Sequence, residues 1–189
     1  MSSREAIILP GGQFGPFAPL PMFCADAAER RDATLTPVQW DDPDRLLTLT
    51  PEERGPWVLD QLDRAVPSLR SAEPLNTLLI GKSLGTHAAA LAAELELPAI
   101  WLTPVLTSDW VVSALRRSTA PFLLVGGTAD SLWKPDLARE LTPHVLEIDG
   151  ADHGMYVPGP LAASTAVLGQ VATAAEDFLD NVVWRSGVS

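Results

Sequence analysis

The feature that most restricts the fold of this chain is a regular alternation of short apolar runs with longer amphipathic segments. Several of the runs are apolar on both faces. Strands of this kind are typical of a parallel sheet that is covered by helices on both sides. The predicted strands are residues 5–11, 34–40, 76–81, 98–103, 121–127 and 144–150.

The segments between these strands have helical spacing. The clearest helix begins after Thr50, which can cap it, with Pro51 at the first position and Glu53 completing a capping box. Pro67 is expected to kink or end this helix. Further helices are predicted after Ser83, after Ser108, over 135–141 and over about 161–184. The alternation predicts an α/β protein, a three-layer α/β/α sandwich with a mostly parallel six-stranded sheet, in which residues 1–189 form a single domain.

Charge and cysteine content narrow the possible partners. The net charge of -11 argues against nucleic acid and anionic membranes, because both would repel the protein. Cys24 is the sole cysteine, so no intramolecular disulfide can form, and we expect it to be a small core residue. No apolar stretch approaches the ~20 residues of a membrane span, and the N-terminal apolar run is too short for a signal peptide. We therefore expect a soluble, cytoplasmic protein.

A serine lies where a strand passes abruptly into a helix. Residues 81–85 read GKSLG, and Ser83 stands between the apolar strand and the following helix. This is the setting of a nucleophile elbow, in which small neighbours permit a strained turn and the helix N-terminus favours negative charge. The five-residue pattern is common by chance, but the strand–turn–helix setting makes it more specific.

Two further reactive side chains follow later strands. Asp130 and His153 lie in glycine-rich loops after the fifth and sixth predicted strands. Each alone would be an ordinary turn aspartate or a solvated histidine. In open α/β sheets, however, ligands bind beyond the carboxyl ends of the strands. The order Ser83, Asp130, His153 is also that of one known catalytic triad arrangement.

Other residues compete for these roles. Asp136 and Asp149 are rival acids, but the first is expected at a helix start and the second inside the last strand. His87 is expected to pack against the sheet, and His144 to face solvent. Lys82 is expected to project away from the site as a solvated charge, with recognition of a charged substrate as the less supported alternative.

With these motifs the chain resembles the α/β-hydrolase superfamily over nearly its whole length. It is similar to small members without a cap domain, such as compact carboxylesterases and dienelactone-hydrolase-like proteins. The family's first two strands are absent, and residues 104–120 leave no room for a cap. The resemblance implies that Ser83 is the nucleophile, Asp130 the acid and His153 the base, in a reaction that needs no cofactor and no metal.

The resemblance also implies an oxyanion hole. The backbone N–H of Leu84, directly after the nucleophile, would be one donor. The loop PGGQF after the first strand stands where the family has its second donor, although the usual histidine is missing. By position Gln13 is preferred over Gly12 for that second N–H.

The function implied is hydrolysis of a small to medium carboxylic ester or thioester through an acyl-enzyme. Two alternatives stay open: an acyltransferase or amidase with the same triad, and a non-catalytic binding module of the same fold. Several large side chains near the same loops can form an acyl or alcohol pocket, although core packing accounts for each equally well. They are Phe14, Phe17, Trp110, Trp133, Met155 and Tyr156.

Overall fold

The predicted sheet is present in full. The computed structural model describes residues 3–13, 15–42 and 44–185. Its strands are β1 Arg4–Leu9, β2 Ala33–Pro37, β3 Thr77–Lys82, β4 Ala99–Leu102, β5 Phe122–Gly127 and β6 Val145–Ile148. All neighbouring strands are parallel, in the order β2-β1-β3-β4-β5-β6. The prediction of a six-stranded sheet is confirmed, and the sheet is wholly rather than mostly parallel.

Helices cover both faces of this sheet. They are α1 Pro19–Glu29, α2 Pro51–Ala65, α3 Ala89–Glu94, α4 Asp109–Arg117, α5 Pro135–Leu141 and α6 Leu161–Phe178. Side chains alternate between the faces of a strand, so Ile7 and Leu9 join one core and Ala6 and Ile8 the other. The first core is completed by α2, α3, α4 and α5, and the second by α1 and α6. The three-layer prediction is therefore confirmed.

Helix α2 begins and ends where its sequence indicates. The Glu53 carboxylate accepts a 2.8 Å hydrogen bond from the Thr50 N–H, which is the side-chain-to-cap half of a capping box. The helix ends at Ala65, and Pro67 opens a short 3₁₀ segment instead. A proline cannot donate the next helical hydrogen bond, so the chain turns there.

Helix α1 is an element that the sequence analysis does not predict. It joins β1 to β2 and buries Leu20, Cys24 and Ala28 against α6 and the sheet. Pro19 and Pro21 make this helix hard to predict from the sequence. Both stand in its first turn, where a missing N–H costs no helical hydrogen bond.

The strand order places a crevice between β1 and β3. The chain first runs outward from β1 to β2 and then returns to add β3 on the other side of β1. Such a reversal separates the loops that follow the two strands and leaves a ligand site at their carboxyl ends. Between β4 and β5 there is only a short loop and α4, so no cap domain is inserted there. Within the described ranges no helix is both long and apolar enough to span a membrane.

Candidate active site

Ser83 lies on a strained turn at this crevice. It follows β3 directly, begins a 3₁₀ segment, Ser83–Ala88, and has a φ of 49°. A non-glycine residue rarely adopts this left-handed conformation, which is held only where the surroundings impose it.

The glycines on either side of Ser83 make this turn possible. A Cβ on Gly85 would lie 2.7 Å from the carbonyl oxygen of Leu9, which is backbone and cannot move aside. A Cβ on Gly81 would lie 2.6 Å from the ring of Trp101. The 3₁₀ segment can therefore pack against β1, and Ser83 is held at the carboxyl end of the sheet.

The structure brings Ser83, His153 and Asp130 together. His153 Nε2 lies 2.8 Å from Ser83 Oγ, and His153 Nδ1 lies 2.7 Å from Asp130 Oδ2. An ionised carboxylate can only accept hydrogen bonds, so Nδ1–H donates to Asp130. Nε2 then carries the lone pair, which can accept the hydroxyl proton of Ser83.

Asp130 is suited to remain ionised although its side chain is 1% exposed. Burial alone would raise the pKa of this carboxyl group. The hydrogen bonds from His153 and from the Leu132 N–H, together with the charge of Lys82, outweigh burial and lower the pKa overall. The carboxylate thus keeps the negative charge that orients the imidazole ring.

An open cavity of about 790 Å³ lies over Ser83. Leu84, Gly12 and Gln13 line it, so the predicted oxyanion donors and the serine face one space. The N–H groups at the start of a helical segment have no partner within that segment, which suits Leu84 for this role.

The loop after β1 also lies against Ser83. A Cβ on Gly11 would be 3.7 Å from Ser83 Cβ, and Trp40 Nε1 donates a 3.1 Å hydrogen bond to the Gly11 carbonyl. The tryptophan thereby anchors the loop beside the serine.

The expectation that the Lys82 side chain projects into solvent is wrong. Its Nζ donates to Thr103 Oγ1 at 3.3 Å and to the His153 carbonyl at 3.4 Å. Desolvation lowers the pKa of this amine, against the opposing effect of the Asp130 and Asp152 charges. Lys82 therefore connects the ends of β3 and β4 to the loop that carries His153.

Neither competing histidine takes part in the contacts between Ser83, His153 and Asp130. His87 is 2% exposed, and its Nδ1 lies 3.0 Å from the Leu84 carbonyl. Burial lowers the pKa of its imidazole, so we take it as a neutral ring in the wall of the cavity. His144 is half-buried rather than solvated, edge-on to Phe178 at 5.3 Å between ring centres.

The competing carboxylates have other partners. Asp149 accepts a hydrogen bond from Thr128, and Asp136 pairs with Arg139 on the surface. A third carboxylate, that of Asp152 beside His153, accepts hydrogen bonds from the N–H groups of Gly154 and Tyr156, which shapes the turn after His153. Asp130 is the carboxylate that the structure places against His153.

Only some of the six predicted pocket residues share a cavity. Phe17, Met155 and Tyr156 line a second, largely apolar space of about 580 Å³, which borders the first at Lys82 and Gly154. Phe14 lies outside the described residues.

The two tryptophans of that set lie elsewhere. Trp133 is 3% exposed, lies against Gly126 and donates a hydrogen bond to Glu147, so it fills the core. Trp110 covers Gly55 and donates to the His87 carbonyl. Both rings hold elements together and do not line the cavity over Ser83.

Sequence reasoning missed one wall of the cavity over Ser83. It is formed by the segment before α2, by the start of that helix and by the loop before α4. No local motif indicates it, because these segments meet the site only through the strand order. The residues concerned are Leu46, Leu47, Pro51, Arg54, Thr107 and Ser108.

No protein-family model matches this chain, and no curated protein matches its sequence. Solved structures do match its fold. A dienelactone hydrolase from Anabaena variabilis has a TM-score of 0.66 at 21% identity, covering 96% of this chain and 88% of that chain. Est1E from Butyrivibrio proteoclasticus, solved with bound ferulic acid, has a TM-score of 0.63 at 14% identity, covering 93% of this chain and 88% of that chain.

A serine hydrolase without a lid, from Xanthomonas campestris, matches in the same way. Its TM-score is 0.58 at 14% identity, covering 94% of this chain and 84% of that chain. These likenesses, with the parallel sheet and its strand order, establish the fold. The chain has the α/β-hydrolase fold, in the form without a cap domain.

Proposed function

We propose that this protein is a serine hydrolase that cleaves a small to medium carboxylic ester or thioester through an acyl-enzyme. The observation that carries the proposal is the chain of contacts from Ser83 Oγ to His153 Nε2 and from His153 Nδ1 to Asp130. The esterase and hydrolase names of its structural neighbours support the same chemistry by analogy of fold.

Each group has a definite role in this proposal. His153 takes the hydroxyl proton as Ser83 Oγ attacks the acyl carbon, and it then returns the proton to the leaving alkoxide or thiolate. Asp130 holds the ring in the required tautomer and stabilises the imidazolium without taking the proton. The N–H groups of Leu84 and of Gln13, with Gly12 as the alternative, bind the oxyanion of the tetrahedral intermediate.

Access of water favours hydrolysis over acyl transfer to another acceptor. The His153 side chain is 39% exposed, and the cavity over Ser83 is open to solvent. Water can thus reach His153 and attack the acyl-enzyme once the first product has left. An acyltransferase would instead need a site that keeps water away from the intermediate.

The first experiment is intact-mass labelling with a fluorophosphonate probe at neutral pH. We expect the wild type to gain one adduct and Ser83→Ala to gain none, because only an activated serine hydroxyl attacks such a probe. If neither protein is labelled, the hydrolase proposal fails, and the non-catalytic binding module becomes the better interpretation.

A stability measurement on the serine variant separates chemistry from folding. Ser83→Ala is expected to unfold at the same urea concentration as the wild type or slightly above it, since it alters no core contact. A large fall in stability would identify Ser83 as structural.

Asp130→Asn is expected to lower kcat by roughly 10⁴, because an amide facing Nδ1 favours the wrong tautomer.

Three expectations from the sequence stay predictions. They are that residues 1–189 form a single domain, that the protein is cytoplasmic, and that its partner is a small acyl substrate rather than nucleic acid or membrane.

A further inference from the structure

The charged side chains that line the cavity over Ser83 are opposite in sign to the net charge of the protein. The chain has 24 acidic and 13 basic residues, yet among the residues that the structure describes no aspartate or glutamate lines this cavity. Its charged lining residues are Lys82 and Arg54. In a protein with such an acidic excess, a cavity whose charged lining residues, among those described, are both cations is a specific feature of the site.

The two cations differ in what they contact. Lys82 donates hydrogen bonds to the Thr103 hydroxyl and to the His153 carbonyl. Among the residues that the structure describes, no hydrogen bond or ion pair engages the Arg54 guanidinium. Burial is the main cause of the lowered pKa of the His87 imidazole. The Arg54 guanidinium lies close enough for its charge to lower that pKa further.

Arg54 stands on a helix turn that packing holds in place. It lies in the first turns of α2 and is half-buried. The next residue, Gly55, is buried against the Trp110 ring, which leaves no room for a side chain there. The helix is thus fixed against α4 beside the cavity, with Thr107 and Ser108 on the same wall.

We propose that Arg54 binds a carboxylate on the substrate, away from the scissile bond, so that preferred substrates are monoanionic esters or thioesters. This inference rests on the proposed hydrolase function. The guanidinium presents paired N–H donors that match a carboxylate, and such charge-assisted hydrogen bonds are strong. One free cation suits one negative charge, whereas a dianion such as a phosphate monoester would be repelled more strongly by the acidic protein.

The test compares two aryl esters whose acyl chains have the same length. The acyl chain of one ends in a carboxylate, and the acyl chain of the other ends in a neutral primary amide. We expect the wild-type kcat/KM to be at least about tenfold higher for the anionic ester, the scale of one hydrogen bond to a charged group. In Arg54→Gln this ratio should fall close to one. Arg54→Lys should give an intermediate ratio, since it keeps the charge and loses the paired donors.

Arg64→Gln is the matched control. Arg64 lies on the same helix, but it is exposed and paired with Asp60, outside the cavity. This variant should keep the wild-type ratio. A ratio near one in the wild type, or a preference that survives in Arg54→Gln, would overturn the inference.

A binding measurement separates this inference from the function on which it rests. Binding of a linear dicarboxylate monoamide to Ser83→Ala is measured by calorimetry, with and without Arg54→Gln. Binding that is lost with Arg54 supports the carboxylate site even if no ester is cleaved and no probe reacts. Equal binding by the two variants, or none by either, counts against the site even if neutral esters are cleaved.

Discussion

At the scale of single residues, the site depends on how closely the backbone around Ser83 approaches its neighbours. The positive φ of Ser83 costs roughly 1–3 kcal/mol, so the surrounding packing must hold it. Gly85 permits that packing, because a Cβ at this position would lie 2.7 Å from the Leu9 carbonyl oxygen of β1. The glycine is therefore required by contact distance, not by an unusual φ of its own.

Gly85→Ala is expected to lower the free energy of unfolding by about 3 kcal/mol, because the added methyl group meets the Leu9 backbone and β1 must shift. Gly169→Ala is the matched control. Gly169 is exposed within α6 with nothing within 4 Å of the new Cβ, so alanine should stabilise by about 0.5–1 kcal/mol. Urea unfolding of both variants measures this. Equal midpoints would show that the elbow tolerates a side chain at residue 85.

The sequence allows some of the site to be predicted, but not all of it. That Ser83, Asp130 and His153 lie together could be predicted, because each follows an apolar strand and the carboxyl ends of parallel strands meet at one edge. Arg54 could not, since it approaches the site only through the packing of α2. The predicted direction of the Lys82 side chain is wrong, because its partners Thr103 and His153 are distant in sequence.

At the scale of elements, α1 shows where sequence periodicity fails. Its small side chains, such as Ala25, Ala27 and Ala28, let it pack closely on the sheet but provide little amphipathic contrast. The six strands, by contrast, could be predicted because burial on both faces leaves continuous apolar runs. Cys24, near the middle of α1, is fully buried in the contact of this helix with the sheet and α6.

Burial raises the pKa of the Cys24 thiol to about 12, compared with 9.0 in an exposed chain. The folded protein therefore keeps the proton in the range where the unfolded chain loses it. This contribution to stability is complete below pH 9.0 and is lost as the pH rises towards about 12.

Between pH 9.0 and about 12 we expect the free energy of unfolding to fall more steeply with pH in the wild type than in Cys24→Ala. The difference in slope should be up to about 1.4 kcal/mol per pH unit. Urea unfolding at a series of alkaline pH values measures the difference. Parallel profiles for the two proteins would mean that α1 opens readily enough to ionise the thiol. A second readout is alkylation of the native protein by iodoacetamide, which should be negligible while α1 remains packed.

At the scale of the whole molecule, charge is distributed unevenly. The net charge of -11 lies mainly on the surface, while Lys82 and Arg54 are the charged side chains that line the cavity over Ser83 among the described residues. Exposed ion pairs such as Arg70–Asp63 and Arg116–Glu140 each contribute little, about 0–1 kcal/mol. Repulsion among the unpaired carboxylates should therefore outweigh these pairs, and it acts against the compact state.

Added salt should consequently stabilise the fold. Raising NaCl from about 0.01 M to about 0.15 M shortens the screening length from about 30 Å to about 8 Å, which weakens repulsion between distant carboxylates. Urea unfolding at the two concentrations should give a higher free energy of unfolding at the higher one. Glu29→Gln tests the cause: Glu29 is exposed at the C-terminal end of α1, where a negative charge is unfavourable, and no ion pair engages it among the described residues. The variant should be more stable than the wild type at low salt and gain less from added salt. If salt lowered the stability of the wild type, the surface ion pairs rather than the acidic excess would dominate its electrostatics.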